Sequence, residues 1–137
     1  MHYTESAFFS WNELVTADVE KAMTFYREVL GWTFEPMPME DGTTYWVALS
    51  TDEPVAGLVL ANDSPSASSS DHWFSYIEVE DVDARIEAVR ASSGQVLREP
   101  FDVPGVGRIA IVKDSVGAAL GLMTSEEDDE EDEEATA

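Results

Sequence analysis

Two groups of aromatic and acidic side chains, on strand-like segments, are the first candidates for chemistry. Because neighbouring side chains of a strand point to opposite faces, Trp11 and Glu13 share one face, and Phe74, Tyr76 and Glu78 share another. A carboxylate among aromatic rings is poorly solvated, so the pKa of Glu13 would rise toward the range of a general base. The alternative is a solvated acid at a strand end.

Two further side chains are weaker candidates. His72 begins the second group and could serve as an acid/base or metal ligand, or could be a surface histidine beside a linker. Arg108 is one of five arginines and follows the sequence PGVG. It could clamp an anionic ligand, hold a carboxylate such as Glu13 or Glu78, or form a structural ion pair.

An internal repeat shows which elements position these residues. At an offset of 63, Asp18 aligns with Asp81 and Gly31 with Gly94. In both halves an apolar strand-like run precedes the Asp. We predict that the Asp caps the start of a helix and that the helix ends at the Gly. The predicted helices run over 18–30 and 81–93, where apolar residues recur at three- and four-residue spacing.

Three strand-like runs follow each helix, separated by turn signals. They are predicted at 32–36, 43–50 and 55–61, and again at 95–101, 107–113 and 118–123. The phases of 43–50 and 107–113 stay open, because a bulge would reverse them. We predict a first module over 1–62, a linker over 63–71, a second module over 72–124 and a disordered tail over 125–137, in one structural domain.

The fold class follows from this order of elements. Each half reads strand–helix–strand–strand–strand, and one helix leaves a sheet face uncovered, so two halves must pair within or between chains. The sequence therefore predicts an α+β protein of two βαβββ modules. They would form a curved, cup-like mixed sheet with the helices on its convex face and a ligand in the cup.

The net negative charge of the chain restricts the classes of partner that it is expected to bind. The chain has 137 residues, with 29 acidic against 7 basic residues and a net charge of −22. Removing the nine acids of 126–134 still leaves 20 acidic residues against the 7 basic ones. This balance argues against nucleic acid or an anionic membrane as a partner, and is typical of proteins from a salt-rich, halophilic cytoplasm. Without a basic-then-apolar leader or a long apolar run, we expect a cytoplasmic protein.

The sequence resembles the vicinal oxygen chelate superfamily, which includes glyoxalases, bleomycin-resistance proteins and dioxygenases. The resemblance is carried by DVEKAMTFYREVLGW, VAGLVLA, HWFSYIEVEDVDA and PGVGRIAIVKDSVGAALGLM, which begin at 18, 55, 72 and 104. It implies that the faces bearing Trp11 and Glu13, and bearing Phe74, Tyr76 and Glu78, line the cup.

The family's metal positions carry unusual residues here. The resemblance places its four ligands at Trp11, Gly57, Phe74 and Gly121, and none of these side chains can coordinate a divalent cation. With no cysteine and only His2 and His72, any metal would need His, Asp or Glu. We expect no cofactor, although a divalent metal on other ligands stays open.

These observations predict a homodimeric small-molecule-binding protein rather than an enzyme. Its ligand site would comprise Trp11, Glu13, Phe74, Tyr76, Glu78 and Arg108, with Glu13 as the one catalytic candidate. One alternative is a lyase, isomerase or dioxygenase-type enzyme that uses Glu13 as base or Glu13, His72 and Glu78 as metal ligands. Another is a protein-interaction module whose cup is filled by these side chains.

Overall fold

The structure, a computed structural model, describes residues 6–65 and 70–126. The described elements are β1 Phe8–Thr16, α1 Val19–Leu30, β2 Thr33–Pro38, β3 Thr44–Ser50, β4 Glu53–Leu60, a 3-10 helix at Ala61–Asp63, β5 His72–Glu78, α2 Val82–Ala91, β6 Gln95–Val103, β7 Gly107–Lys113 and β8 Ala119–Ser125. The order strand–helix–strand–strand–strand occurs twice, which confirms the predicted α+β class with two βαβββ modules.

The chain divides into two compact units, and the division falls inside β5. Among the described residues, the first unit is Phe9–Tyr76, and the second combines 6–8 with 77–126. In the first unit the strand order is β2-β3-β4-β1, with β5 next to β1. In the second it is β6-β7-β8, with the end of β5 next to β8.

Strand pairing is mixed, as predicted. β1 runs parallel to β4, with Glu13 opposite Gly57, whereas β3 runs antiparallel to β4, with Val47 opposite Gly57. The pairs β2–β3, β6–β7 and β7–β8 are antiparallel. Since directly paired residues lie on the same sheet face, Glu13, Gly57 and Val47 form one row across three strands.

Each unit has its own apolar core under its helix. Val19 and Met23 of α1 pack with Leu14, Ala48, Ala56 and Leu58 in the first unit. Val82 and Ile86 of α2 pack with Val79, Ala110, Val112 and Leu122 in the second. Burial of a large aliphatic side chain contributes about 1.5–3 kcal/mol, so these clusters hold the helices on their strands.

The predicted helix starts are confirmed, but only one of the two predicted stops is. Asp18 and Asp81 accept hydrogen bonds from the backbone N–H groups of Lys21 and Ala84, and Gly31 ends α1 in the left-handed conformation with φ 74°. The prediction that Gly94 stops the second helix is wrong. That helix ends at Ala91, and Ser93 takes the left-handed conformation with φ 66°.

Parts of three predictions lie outside the described residues. These are 1–5 of the predicted first module, 66–69 of the predicted linker and 127–137 of the predicted tail. Within the described ranges, no helix combines the length and apolar character needed to cross a membrane.

Candidate functional site

Glu13 is a buried acid in the middle of β1. Its side chain is 3% exposed, and it begins a run of four buried residues that continues to Thr16. An isolated buried carboxylate is costly, so such a group needs hydrogen-bond partners or a proton.

Hydroxyl groups surround the Glu13 carboxyl. Ser64, in the turn after the 3-10 helix, donates its Oγ–H to Glu13 Oε2 at 3.2 Å. Tyr76 of β5 donates its hydroxyl to the same oxygen at 3.4 Å, and the Tyr45 hydroxyl of β3 lies close enough to lower the pKa of this carboxyl. Side chains from three segments far apart in sequence therefore meet at one carboxyl.

Tyr45 reaches this carboxyl because position 57 has no side chain. A Cβ added to Gly57 would lie 1.8 Å from the Tyr45 hydroxyl oxygen and 2.2 Å from its Cζ. Trp11 donates its indole N–H to that hydroxyl at 2.7 Å. Hence the Tyr45 phenol fills the space above Gly57 and links Trp11 to Glu13.

Burial dominates the electrostatics of the cluster. It raises the pKa of the Glu13 carboxyl above its ordinary value of 4.5, while hydrogen bonds from Tyr45, Ser64 and Tyr76 offset part of that rise. Burial, followed by the nearby Glu13 charge, also raises the pKa of Tyr45, so its phenol keeps its proton. A protonated Glu13 can donate a hydrogen bond, and an ionised one can accept a proton.

Aromatic residues of β5 continue the cluster. The rings of Phe74 and Tyr76 are buried and meet edge to face, with centroids 5.3 Å apart. The half-buried His72 ring lies 6.1 Å from that of Phe74, and its Nδ1 is 2.7 Å from the Ser70 carbonyl oxygen. Since a carbonyl only accepts, this contact requires the proton on Nδ1 and leaves Nε2 as the acceptor of a neutral His72.

The structure brings four of the six predicted ligand-binding residues together in the first unit. These are Trp11, Glu13, Phe74 and Tyr76. The other two have partners of their own in the second unit. Arg108 forms ion pairs with Asp83 at 2.8 Å and Asp102 at 3.1 Å, and Glu78 accepts hydrogen bonds from the backbone N–H and hydroxyl of Ser125.

Two members of the cluster were absent from the sequence-based site. Tyr45 lies on a strand whose phase the sequence left open, and Ser64 lies in a segment with the composition of a linker. Gly57 could have indicated Tyr45. A glycine at a position that the resemblance assigns to a ligand leaves a space, and a side chain from a neighbouring strand must fill it. We find no comparable signal for Ser64.

The residues at the four positions that the resemblance assigns to metal ligands do not fit a metal ion. An indole, a phenyl ring and two glycines offer no oxygen donor or imidazole nitrogen. Across residues 6–65 and 70–126, no three or more His, Asp or Glu side chains are grouped so that they could hold an ion.

Comparison with known proteins identifies two curated relatives. CFP32 of Mycobacterium tuberculosis, a glyoxylase by name, is 35% identical over 119 residues, which cover 87% of this chain and 44% of that protein. The anthracycline biosynthesis protein DnrV of Streptomyces peucetius is 28% identical over 125 residues, with coverages of 82% and 45%. The chain thus spans less than half the length of these curated relatives.

Solved structures share the fold at low sequence identity. Methylmalonyl-CoA epimerase of Mycobacterium tuberculosis superposes with a TM-score of 0.64 at 17% identity, covering 100% of this chain and 97% of that one. The Streptomyces coelicolor methylmalonyl-CoA epimerase in complex with 2-nitronate-propionyl-CoA gives 0.61 at 21% identity, with coverages of 88% and 98%.

The family model itself covers nearly all of the described sequence. The model of the Glyoxalase/Bleomycin resistance protein/Dioxygenase superfamily matches residues 3–122, which include the first βαβββ module and the second as far as the middle of β8. Together with the 35% identity to CFP32, this match shows that the chain belongs to the Glyoxalase/Bleomycin resistance protein/Dioxygenase superfamily.

Proposed function

We propose that the chain binds a small organic molecule at the Glu13 cluster, defined as Trp11, Glu13, Tyr45, Ser64 and Tyr76. The single observation that carries this proposal is the buried Glu13 carboxyl with hydroxyl partners from three separate segments. The ligand complex of an epimerase with the same fold supports a small-molecule role.

The chemistry of the cluster argues against a purely structural role. A core that only needed filling would be served better by an apolar residue at position 13, because burial of a carboxyl costs free energy even when it is hydrogen-bonded. Polar groups that converge in apolar surroundings are instead typical of sites that orient a ligand.

The residue types indicate the class of ligand. Trp11, Phe74 and Tyr76 favour a flat or apolar group that packs against rings. Glu13 and its hydroxyl partners favour a carbonyl or hydroxyl on the same molecule, since the protonated carboxyl donates and the ionised carboxyl accepts.

A second candidate is proton transfer by Glu13, which the burial-raised pKa favours. The ionised carboxyl would take a proton from a carbon next to a carbonyl, and the electron pair of the C–H bond would pass to the carbonyl oxygen as an enolate. Return of the proton from the neutral carboxyl would then complete an isomerisation.

Tryptophan fluorescence during titration with flat aromatic compounds and coenzyme A thioesters tests the binding proposal. We expect saturable quenching, because Trp11 belongs to the cluster, and a loss of affinity of about tenfold for Glu13→Gln. Glu28→Gln, an exposed change on α1, is the matched control and should leave the affinity unchanged. Unchanged affinity in both variants would exclude Glu13 from the binding site.

Two further measurements separate the candidates. Exchange of the α-hydrogen of a bound thioester with D₂O, lost in Glu13→Gln, would establish proton transfer rather than binding alone. Elemental analysis of untagged protein, purified without chelators, tests ligation by Glu13, His72 and Glu78. A stoichiometric metal that Glu13→Ala removes would identify Glu13 as a metal ligand and contradict the expectation that the chain has no cofactor.

A further inference from the structure

Glu13 is a buried acid without a cationic partner. Among residues 6–65 and 70–126, no Lys, Arg or His side chain forms an ion pair with it. Burial raises the pKa of Glu13, and the charge of His72 is the smallest of the effects that oppose this rise. Buried charges in proteins are normally paired, so an ionised Glu13 lacks the counter-ion that such a group usually has.

The hydrogen bonds around Glu13 nevertheless suit a negative charge. Ser64 and Tyr76 each donate a hydroxyl to its Oε2, at 3.2 and 3.4 Å. Burial raises the pKa of Tyr45, so its phenol keeps its proton, and it accepts the Trp11 indole N–H at 2.7 Å. Hydroxyl donors stabilise the ionised form of a carboxyl over the neutral form.

Aromatic rings around this carboxyl favour a cation. The rings of Phe74 and Tyr76 meet edge to face with centroids 5.3 Å apart. Trp11 and Tyr45 are half-buried, so two further rings form the exposed edge of the cluster. The face of an aromatic ring attracts a positive charge that lies within about 6 Å of its centroid.

The charge of the first unit acts in the same direction. Phe9–Tyr76 contains 11 acidic residues and two basic ones, Lys21 and Arg27. The Arg27 guanidinium lies 5.6 Å from the centroid of the Phe34 ring, and it does not pair with Glu13. An excess of one charge raises the local concentration of ligands of the opposite sign and repels those of the same sign.

We propose that the Glu13 cluster binds an organic cation, in which an ammonium group lies next to a flat apolar ring. The ammonium would pair with the Glu13 carboxylate, and the ring would pack against Trp11 and Phe74. The ligand would thus supply the counter-ion that no described side chain provides, through charge-assisted hydrogen bonds. This inference rests on the proposed binding function and adds the charge of the ligand to it.

Three benzyl compounds of different charge test this inference on the full chain. Benzylammonium, benzyl alcohol and benzoate share the ring, and their binding is followed by ¹H–¹⁵N spectra at constant ionic strength. Benzylammonium should shift the amides of Trp11, Glu13 and Tyr45 in a saturable way. It should bind at least about tenfold more tightly than benzyl alcohol, and benzoate should not bind.

Matched variants separate the site from the acidic surface. Glu13→Gln removes the charge and keeps the shape, so it should weaken benzylammonium binding more than benzyl alcohol binding, by a further factor of about ten. Glu28→Gln removes an exposed charge on α1 instead. It should change the affinity for benzylammonium by less than about twofold, because exposed pairs are weak.

Proton release provides a second measurement. Because burial raises the pKa of Glu13, the neutral carboxyl must lose its proton when a cation binds. Calorimetry in two buffers of different ionisation enthalpy, from mildly acidic to neutral pH, should detect this proton in the wild type and not in Glu13→Gln. Tyr45, Tyr76 and His72 are the other titratable groups that act on Glu13, and His72→Gln should still release the proton.

Two results would overturn the inference while the proposed binding function stands. One is equal affinity for benzylammonium and benzyl alcohol. The other is a set of benzylammonium shifts that spread over α1 and stay the same in Glu13→Gln, which would show attraction to the acidic surface only. If benzylammonium, flat aromatic compounds and coenzyme A thioesters all failed to bind, the binding function itself would be contradicted.

Discussion

At the scale of single residues, Glu13 owes its character to its neighbours. The carboxyl is 3% exposed, and its partners come from β3, β5 and the turn after β4. Burial favours the neutral form, whereas the hydroxyl donors favour the ionised form. Since burial is the larger effect, Glu13 holds its proton to a higher pH than a solvated glutamate does.

The raised pKa makes stability depend on pH in a defined direction. The folded state binds the Glu13 proton more tightly than the unfolded chain, so this group favours folding most at and below pH 4.5. Its contribution is lost as pH rises from 4.5 through the raised pKa. Each unit of difference between the folded and unfolded pKa values corresponds to about 1.4 kcal/mol.

Urea unfolding of the wild type and Glu13→Gln from acid to neutral pH measures this effect. The difference in unfolding free energy should move in favour of Glu13→Gln as pH rises, because glutamine cannot ionise. The contributions of the other acidic residues are the same in both proteins and cancel in this difference. Glu28→Gln serves as the control. If the difference in unfolding free energy did not change with pH, the folded and unfolded states would bind the Glu13 proton equally.

Gly57 and Tyr45 are predicted to be energetically coupled. Gly57→Ala places a Cβ where the Tyr45 phenol lies and should displace it from Trp11 and Glu13, at a cost of about 1–3 kcal/mol in unfolding free energy. In a Tyr45→Ala background the same change should cost less than half as much, because no phenol remains to be displaced. A double-mutant cycle measures this coupling, and equal costs in both backgrounds would contradict it.

At the scale of elements, the two repeated helices end differently although their sequences align. Gly31 occupies the left-handed position, and a Cβ there would meet no atom within 4 Å. At Gly94 a Cβ would lie 2.8 Å from Val89 Cγ1 and 3.0 Å from the Lys113 carbonyl oxygen. Gly31 is therefore required for its left-handed backbone conformation, whereas Gly94 is required because its neighbours leave no room for a Cβ.

Substitutions at the two glycines should separate these causes. Gly31→Ala should cost about 1 kcal/mol through its positive φ, and Gly31→Asn less, since asparagine tolerates that conformation. At Gly94 the backbone conformation should favour neither alanine nor asparagine. Val89→Ala should relieve only part of the cost of Gly94→Ala, because the Lys113 carbonyl oxygen would still lie 3.0 Å from the new Cβ. Thermal unfolding measures all of these, and a loss at Gly31 equal for Ala and Asn would contradict the conformational explanation.

At the scale of the whole molecule, charge is the dominant property. With 29 acidic and 7 basic residues, the folded chain concentrates like charges that the unfolded chain can separate. The ion pairs of Arg90 and Arg108 with their carboxylates are exposed, so they contribute little to stability and leave most acids uncompensated.

Salt should therefore stabilise the protein. The Debye length falls from about 10 Å at 0.1 M to about 3 Å at 1 M, so the melting temperature should rise by about 5 °C or more over this range of KCl. Sucrose of equal osmolality is the control, because it is excluded from the surface without screening charge. A melting temperature that sucrose raises as much as KCl does would remove the electrostatic explanation.

The sequence by itself determined the repeated βαβββ order, the helix starts at Asp18 and Asp81, and the family. The order of elements and the helix starts depend on local periodicity, capping side chains and turn residues, all of which lie close together in the sequence. The family was identified from the resemblance of four segments to its members. It also identified Trp11, Glu13, Phe74 and Tyr76 as residues with suitable chemistry.

Only the tertiary structure decided how that chemistry is assembled. Tyr45 and Ser64 reach Glu13 because strand register and a turn bring distant segments together, and a missing side chain at Gly57 admits the phenol. Arg108 forms ion pairs with Asp83 and Asp102, which lie near it only in the folded chain. Alternation along one strand cannot show which neighbouring strand supplies a partner, because that choice depends on pairing between residues far apart in sequence.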